Sequence, residues 1–228
     1  EIREVNNWGE GPGHGWQIHK RFSHTYSGPV AGGLTSEIDW TDRDRNVYMT
    51  ETRRITFYNT PLRARLFDYE VTFHASHGEL TFRDDKHGIM AIRTHPNLRL
   101  DNAPERGVTT ANGRAVNSEG ISGKEVFGKR AKWIDYWGQI GDKTVGIAIF
   151  DHPANPRHPT WWMARGYGYV AADPFGAGAI GGEPPGTGDM TVPAGEAITF
   201  RYRFVFHRGD PEQAQIAEQY GQYAAQQE

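Results

Sequence analysis

The chain contains no cysteine, and that absence removes several kinds of chemistry at once. Disulfide bridges, thiolate catalysis and zinc–thiolate sites all need the cysteine sulfur. Long apolar runs are missing as well, because no stretch approaches the roughly 20 apolar residues that a membrane-spanning helix needs. The sequence therefore predicts a soluble protein with no membrane partner.

A large excess of charge of one sign is also missing. The chain has 25 basic and 28 acidic residues, which gives a formal net charge of -3. Proteins that bind nucleic acid or anionic membranes usually present a concentrated positive field. We therefore expect no nucleic-acid partner, and we expect a small-molecule or carbohydrate ligand instead.

Glycine and tryptophan, by contrast, are plentiful, with 28 and 7 residues. Many glycines allow many turns, and large flat side chains can line a cleft. A chain of 228 residues can form one domain, because β-sandwiches often reach this length. We expect a single domain over residues 1–228.

Most segments alternate between apolar and polar residues, as half-buried strands do. In 64–75, every second residue from Phe67 to Phe73 is apolar, and in 197–207, every second residue from Phe200 to Phe206 is aromatic. Long strands joined by short turns favour an all-β fold, an antiparallel sandwich of two sheets whose core includes the aromatic face of 197–207. Further strands are predicted at 16–23, 29–39, 46–58, 79–83, 89–95, 130–140 and 143–150.

One helix is indicated, at residues 210–227. Asp210 suits the N-cap, Pro211 suits the first turn, and Gln213 completes a capping-box pattern. We expect this helix to pack on the outside of the sandwich through one apolar stripe, formed by Ile216, Ala217, Tyr220, Tyr223 and Ala224.

Two stretches, 101–125 and 176–195, are expected to be loops. The second is rich in glycine and proline, which suits either a mobile flap over a site or a plain surface connection.

The densest cluster of polar groups is the segment 151–162, which directly follows the apolar run 145–150. Three prolines stiffen the segment, so its side chains are held in place. We expect His152 and His158 to act as acid and base. In this interpretation Asp151 orients them, Arg157 binds a substrate oxygen, and further substrate contacts come from Asn155, Trp161, Trp162 and Arg165. The plainer alternative is a rigid turn whose Asp and Asn side chains cap the backbone.

Two further clusters are weaker. Spacing alone favours a charged hairpin turn for residues 83–88, although Lys86 and Arg93 are kept as candidate anion contacts. Asp135 lies between two tryptophans on one face of a strand, where burial would raise its pKa and let it serve as a substrate-contacting acid. An exposed aspartate is the alternative. No local metal-binding or phosphate-binding pattern is present, so no metal site is predicted and no cofactor is assigned.

Several of these motifs together resemble the PmoA-like family, which carries the label methane oxygenase PmoA. The likeness covers most of the chain and rests on Asp85–Gly88, Gly128–Trp133, Gly146–Thr160, Asp173–Gly176 and Arg201–Asp210. It implies a sandwich similar to that of sugar mutarotases, the supersandwich, and a role in carbohydrate metabolism. The family pattern has Glu where this chain has His87 and Asn where it has Asp173. It also has a His-rich stretch further upstream, so the resemblance implies that the chain is truncated at its N-terminus.

Three functions follow from these patterns. The first is an enzyme that acts on a sugar or keto-sugar by proton transfer, hydrolysis or elimination. The second is a non-catalytic glycan-binding module, in which Trp161 and Trp162 form the platform. The third, implied by the family label, is a metal-dependent oxygenase.

Overall fold

The computed structural model describes residues 2, 5–9, 11–60 and 64–226. No helix in this part of the chain is long and apolar enough to cross a membrane. Its regular structure consists of thirteen β-strands, one α-helix and three short 3-10 helices at Pro96–Leu98, Pro104–Arg106 and Gly123–Val126. The strands and the helix are β1 Trp16–Tyr26, β2 Ala31–Thr41, β3 Val47–Tyr58, β4 Ala64–His74, β5 Leu80–Phe82, β6 Met90–Arg93, β7 Arg114–Asn117, β8 Trp133–Ile140, β9 Lys143–Asp151, β10 Trp161–Ala164, β11 Tyr169–Asp173, β12 Met190–Val192, β13 Ala197–Arg208 and α1 Ile216–Ala224.

Eight strands form one large antiparallel sheet, in the order β1-β2-β3-β4-β13-β9-β8-β7. The first four strands follow one another as a meander. The last strand of the chain, β13, then inserts between β4 and β9 and pairs with both along most of its length. The two halves of the large sheet, β1–β4 and β7–β9, are therefore joined through the hydrogen bonds of β13.

The second layer is made of two small sheets, β10-β11-β6 and β12-β5. One apolar cluster joins them to the large sheet: Val71 and Phe200 from the large sheet are in the same core as Leu80, Trp162 and Val170. The fold is thus an all-β antiparallel sandwich, as the alternating pattern predicts. Burial of this shared core is its main source of stability.

The C-terminal helix covers the outer face of the large sheet. Ile216, Tyr220 and Tyr223 of α1 pack against Phe150 of β9 and Val205 of β13. Each of these strands alternates, so one set of side chains enters the sandwich core and the other meets the helix. The expected position of the helix outside the sandwich is confirmed.

The helix starts later than the sequence pattern predicts. The capping box forms, because Asp210 Oδ1 accepts from the Gln213 amide at 2.8 Å and Gln213 Oε1 accepts from the Asp210 amide at 3.2 Å. However, residues 211–215 form turns, and Gln215 has a left-handed conformation with φ 54°. This residue interrupts the α-helical path, so α1 begins at Ile216. Gln227, the predicted last residue, lies outside the described residues.

Other differences concern short strands and one end of the core. The sequence pattern misses β7, β10, β11 and β12, which have three to five residues each and are too short to show a clear alternation. Phe200, Tyr202 and Phe204 are buried as expected, but Phe206 is 38 % exposed. Phe206 therefore contributes little to the core, although its ring stacks on Phe67.

Candidate functional site

The polar groups of the segment 151–162 mostly bind one another. Asp151 Oδ1 accepts from Asn155 Nδ2 at 2.8 Å, while Oδ2 accepts from the Thr160 amide at 2.9 Å and lies 2.7 Å from His158 Nδ1. Asn155 also bonds to the Arg201 backbone through its amide nitrogen and its carbonyl oxygen. Asp151 and Asn155 are buried, so these bonds stabilise the turn and attach it to β13.

The two histidines of this segment are separated. His158 Nδ1 faces Asp151, and its Nε2 lies 3.5 Å from the hydroxyl of Tyr220 on α1. His152 instead contacts Tyr223 edge to face and accepts the Ala154 amide at Nδ1. His152 lines a cavity, whereas His158 is not part of that lining. The geometry therefore does not bring them together as an acid–base pair.

Arg157 points away from both histidines. Its guanidinium donates to the carbonyl oxygens of Pro174, Gly188 and Asp189 at 2.5–3.1 Å. These bonds hold the glycine-rich connection between β11 and β12. Three of the guanidinium bonds therefore serve the fold, and a role of Arg157 as a substrate-oxygen binder stays a prediction.

The expected tryptophan platform is also wrong. Trp161 is 9 % exposed and Trp162 is 0 % exposed, because both residues belong to β10 in the second layer. Trp162 Nε1 donates to the Ala131 carbonyl, and the Arg130 guanidinium lies over the Trp161 ring. Arg165 covers the Phe127 ring. Buried rings cannot stack on a sugar.

Asp135 is fully buried and pairs with His207 on β13. The histidine Nε2 lies 3.1 Å from Oδ1 and 3.0 Å from Oδ2. Burial raises the pKa of Asp135 and outweighs the lowering effect of the His207 contact. The expected direction of the shift is confirmed, but the carboxyl faces His207 and does not line a described cavity.

A cavity of about 270 Å³ opens at one end of the sandwich, between its two layers. We call it the Trp8 cavity. Its wall combines aromatic rings with a few convergent polar groups, which is the usual make-up of a small-molecule site. The residues used below are Trp8, Trp40, Phe73, Phe82, Asp85, His87 and Asp173.

The segment 5–9 forms one wall of this cavity. Asn7 accepts from the Tyr48 hydroxyl at 2.7 Å, and the Asn6 carbonyl accepts from the Gly15 amide at 3.0 Å. These bonds hold Trp8 at the mouth, where it is 54 % exposed and its ring lies 4.8 Å from the His87 ring. Trp8 therefore offers the accessible aromatic face that Trp161 and Trp162 do not.

Asp173 is the most unusual group in the cavity wall. Its side chain is buried, and Oδ2 has no hydrogen-bond partner among the described residues. Burial raises the pKa of Asp173 well above its usual value, and the charges of Asp85 and Asp84 raise it further. The Phe175 amide opposes this shift with one bond to Oδ1 at 3.3 Å. The surroundings of Asp173 thus favour the uncharged form of the carboxyl group.

Asp85 and His87 form a second titratable pair on the same wall. His87 Nδ1 lies 2.8 Å from Asp85 Oδ1. Burial acts to raise the pKa of Asp85, but the bonds from His87 and the Lys86 amide outweigh it and lower the pKa. The pKa of Asp85 is therefore lowered while the pKa of Asp173 is raised. Opposite shifts of neighbouring carboxyl groups are typical of acid–base sites.

Pairing between β6 and β11 brings these groups together. Met90 faces Ala172, and the Ile89 amide donates to the Ala172 carbonyl at 3.1 Å. Gly88 has φ 73°, and a Cβ there would lie 2.5 Å from the Ala172 oxygen, so only glycine fits. Gly176 likewise leaves room for Asp173 Oδ2, because a Cβ there would lie 2.6 Å from that oxygen.

Lys86 and Arg93 belong to segments that line the Trp8 cavity, and neither residue lines the cavity that includes His152. Lys86 is exposed, and its amide bonds to Asp85 Oδ1. The Arg93 guanidinium lies over the rings of Tyr167 and Tyr169, and Tyr169 contacts Trp8. The expectation that Lys86 and Arg93 approach the pocket of the 151–162 segment is therefore wrong.

The glycine-rich connection between β11 and β12, residues 174–189, is held by an acidic side chain. The Asp84 carboxylate accepts from four backbone amides, those of Gly178, Ala179, Gly186 and Gly188, at 2.8–3.1 Å. With the Arg157 bonds, this arrangement favours an anchored surface connection over a mobile flap. The hairpin turn that spacing favours at residues 83–88 does not form, because β5 pairs with β12 and β6 pairs with β11. The segment instead connects the two small sheets and supplies the polar wall of the cavity.

Fold and site together define a β-sandwich protein with a polar-walled cavity between its layers. No group of three or more His, Asp or Glu side chains within the described ranges is arranged to bind a metal ion. The chain belongs to a family of unknown function (DUF6807), whose model matches residues 1–221. No curated protein matches the sequence.

Proposed function

We propose that the Trp8 cavity binds an uncharged sugar or keto-sugar and transfers a proton at a carbon next to its carbonyl group. The observation that carries the proposal is Asp173, a buried carboxyl group whose Oδ2 has no hydrogen-bond partner among the described residues, on one cavity wall with the Asp85–His87 pair. The likeness to the PmoA-like family supports a carbohydrate. Both positions at which the chain departs from that family's pattern, His87 and Asp173, lie on this cavity.

The two titratable groups have separate roles in the proposed step. Asp85 holds the His87 proton on Nδ1, which leaves Nε2 as the base. His87 Nε2 takes the proton from the carbon next to the carbonyl, and the C–H electron pair forms a C=C bond. The carbonyl oxygen takes the proton of Asp173, which gives a neutral enediol, an imidazolium and a carboxylate. The imidazolium then returns its proton to a carbon of the enediol while an enediol hydroxyl gives its proton to the Asp173 carboxylate. The C=O bond re-forms, and an isomerisation or epimerisation is complete.

The aromatic wall supplies the binding. Trp8 presents a flat ring at the mouth, and Trp40, Phe73 and Phe82 line the interior. Trp40 Nε1 donates to Glu51 Oε2 at 2.7 Å, which fixes the indole. A sugar ring has one apolar face of C–H groups that suits such rings. Arg83 lines the cavity, but its guanidinium pairs with Asp189 at 2.9 Å, and neither Lys86 nor Arg93 is part of the lining. This arrangement favours an uncharged ligand over an anionic one.

Binding is tested first, by titrating a panel of neutral sugars and keto-sugars against the full chain and following tryptophan fluorescence. Trp8→Ala should weaken binding by roughly ten-fold or more, since stacking on an accessible ring is worth on the order of 1 kcal/mol or more. Trp16→Ala is the matched control, because Trp16 is also partly exposed but lies outside the lining. Equal weakening by both changes would contradict the proposed location.

Chemistry is tested by exchange of the substrate C–H proton with D2O, followed by NMR. His87→Gln and Asp173→Asn should each lower the exchange rate by roughly 100-fold or more, while binding remains. Binding without any exchange in the unchanged protein would instead favour a glycan-binding module.

A further inference from the structure

A second cavity opens at the end of the sandwich opposite the Trp8 cavity. Its volume is about 280 Å³, and we call it the Arg65 cavity. Phe73, near the end of β4, lines the Trp8 cavity, whereas Arg65, near the start of β4, lines this one. At the rise of a β-strand, the two residues are roughly 26 Å apart. The proposed reaction uses none of the residues that line the Arg65 cavity.

Strand register places several lining side chains on one face of the large sheet. Phe206 of β13 pairs with Arg65 of β4 and with Ile147 of β9, and directly paired residues share a face. Arg208 is the second residue after Phe206 on β13, so its side chain returns to that face. Arg65 and Arg208 are therefore diagonal neighbours, with backbone positions about 7–8 Å apart, and both guanidinium groups can reach one small ligand.

The floor of the cavity is apolar. The residues that form it are Ile140, Val145, Ile147, Phe206 and Leu98, the last residue of the 3-10 helix Pro96–Leu98. The Phe206 ring stacks on Phe67, with ring centroids 6.0 Å apart, yet Phe206 is 38 % exposed. Phe206 thus offers an accessible aromatic surface, and its burial against an apolar ligand would be favourable.

The rim of the cavity is positively charged, and none of the described lining residues is acidic. Arg65 makes one bond, from Nη1 to the carbonyl oxygen of its neighbour Ala64 at 3.0 Å. The Arg208 side chain is exposed and makes no hydrogen bond or ion pair within the described ranges. His95 Nδ1 accepts the Asn97 amide at 3.2 Å, so the neutral imidazole carries its proton on Nε2 as a further donor. The cavity therefore combines an apolar floor with two arginine charges that no carboxylate neutralises.

We propose that the Arg65 cavity is a second binding site, for a small aromatic carboxylate. The ligand ring packs on Phe206 and the apolar floor, while Arg65 and Arg208 receive the carboxylate. A planar guanidinium fork matches a carboxylate in geometry as well as in charge. This site is independent of the proposed function, because it lies at the other end of the sandwich and requires an anionic ligand.

The test is a calorimetric titration of the full chain with phenylacetate, phenethyl alcohol and acetate. Phenylacetate should bind at least about ten-fold more tightly than either of the others, because the alcohol lacks the charge and acetate lacks the ring. Equal affinity for phenylacetate and the alcohol overturns the proposal, and so does equal affinity for phenylacetate and acetate. Binding to phosphatidylglycerol vesicles without binding of free phenylacetate would also overturn it, because the partner would then be a lipid surface.

Two variants locate the site. Arg65→Gln and Arg208→Gln should each weaken phenylacetate binding by roughly ten-fold, because each removes one charged partner of the carboxylate. Arg21→Gln is the matched control, since Arg21 is an exposed arginine that pairs with Glu37 outside the cavity and should leave binding unchanged. Trp8→Ala should also leave it unchanged, which separates this site from the Trp8 cavity. An unchanged affinity in either Arg65→Gln or Arg208→Gln would overturn the proposal.

Discussion

Three buried aspartates, Asp151, Asp135 and Asp173, have three different surroundings at the scale of single residues. Asp151 is bonded to Asn155, Thr160 and His158, so its oxygens are fully occupied within its own turn. Asp135 has one histidine partner in the interior. Asp173 has one oxygen without a partner among the described residues, and that residue lines a cavity. The same side chain therefore serves as a structural acceptor, an internal pair or a candidate acid, according to its surroundings.

Asp173→Asn should make the free energy of unfolding less dependent on pH. Asp173 has a raised pKa in the folded state, so folding keeps its proton, whereas the unfolded chain releases it above the ordinary aspartate pKa. The stability of the original protein should therefore fall as pH rises from about 4 toward the folded pKa. Asparagine does not titrate and should be the more stable residue at pH 7, with a smaller difference near pH 3. Urea unfolding at both pH values checks this, and a larger stability loss at pH 7 than at pH 3 would contradict it.

His207→Ala should lower the free energy of unfolding by about 3–5 kcal/mol, because it leaves the buried Asp135 carboxyl without its partner. Arg208→Ala is a suitable control, since that neighbouring side chain is exposed. Denaturant unfolding measures both. A loss below about 1 kcal/mol for His207→Ala would show that the pair contributes little.

At the scale of elements, the connection 174–189 is held by two side chains from outside it. Asp84 accepts four of its amides, and Arg157 donates to three of its carbonyls. The chain directly after Asp173 is therefore fixed by backbone bonds. A fixed backbone suits this part of the Trp8 cavity wall, because the Asp173 side chain must keep its position there.

Arg157→Ala should release this connection. The backbone amides of Gly186 and Gly188 should exchange with D2O faster, and the free energy of unfolding should fall by about 1–3 kcal/mol, because three bonds to a charged donor are lost. Arg21→Ala serves as the control that removes the same charge, since Arg21 pairs with Glu37 on β2 and makes no bond to this connection. Unchanged amide exchange in Arg157→Ala would show that the connection does not depend on this residue.

The long strands and the C-terminal helix could be predicted because their patterns extend over eight residues or more. In β13, alternation gives both the strand and its core face. The three to five residues of β10, β11 and β12 are too few for such a pattern, and β10 and β11 are buried along their whole length, so they do not alternate. The sequence therefore predicts Trp161 and Trp162 in a cleft, because it does not reveal that they lie on the buried strand β10.

At the scale of the whole molecule, the core joins both layers and depends on β13. Phe204→Ala should lower the free energy of unfolding by about 3–5 kcal/mol, because Phe204 is buried and its ring stacks on Phe67. Phe206→Ala is the matched control and should cost much less, since Phe206 is partly exposed. Chemical denaturation compares the two. Similar losses of unfolding free energy in the two variants would contradict the placement of Phe204 inside the core and of Phe206 at its edge.

The candidate site could be predicted only in part, because it is assembled from segments far apart in sequence. His87 and Asp173 meet through the pairing of β6 with β11, and Trp8 is brought to them by the bonds of the segment 5–9. The spacing of residues along the sequence does not reveal these long-range contacts. The one available signal was an aspartate at the end of the apolar run 169–172, followed by Pro174. The local density of polar residues favours the segment 151–162 as the site, but in the structure most of these polar groups stabilise the turn itself.

The most direct test of the central claim is the protonation state of Asp173. Carboxyl ¹³C NMR of aspartate-labelled protein, with Asp173→Asn to assign the signal, follows this one group through pH. The account predicts a carboxyl that is still protonated well above the ordinary aspartate range and that changes its signal when a neutral sugar binds. A carboxyl that titrates near pH 4 like an exposed aspartate, with no response to ligand, would contradict it.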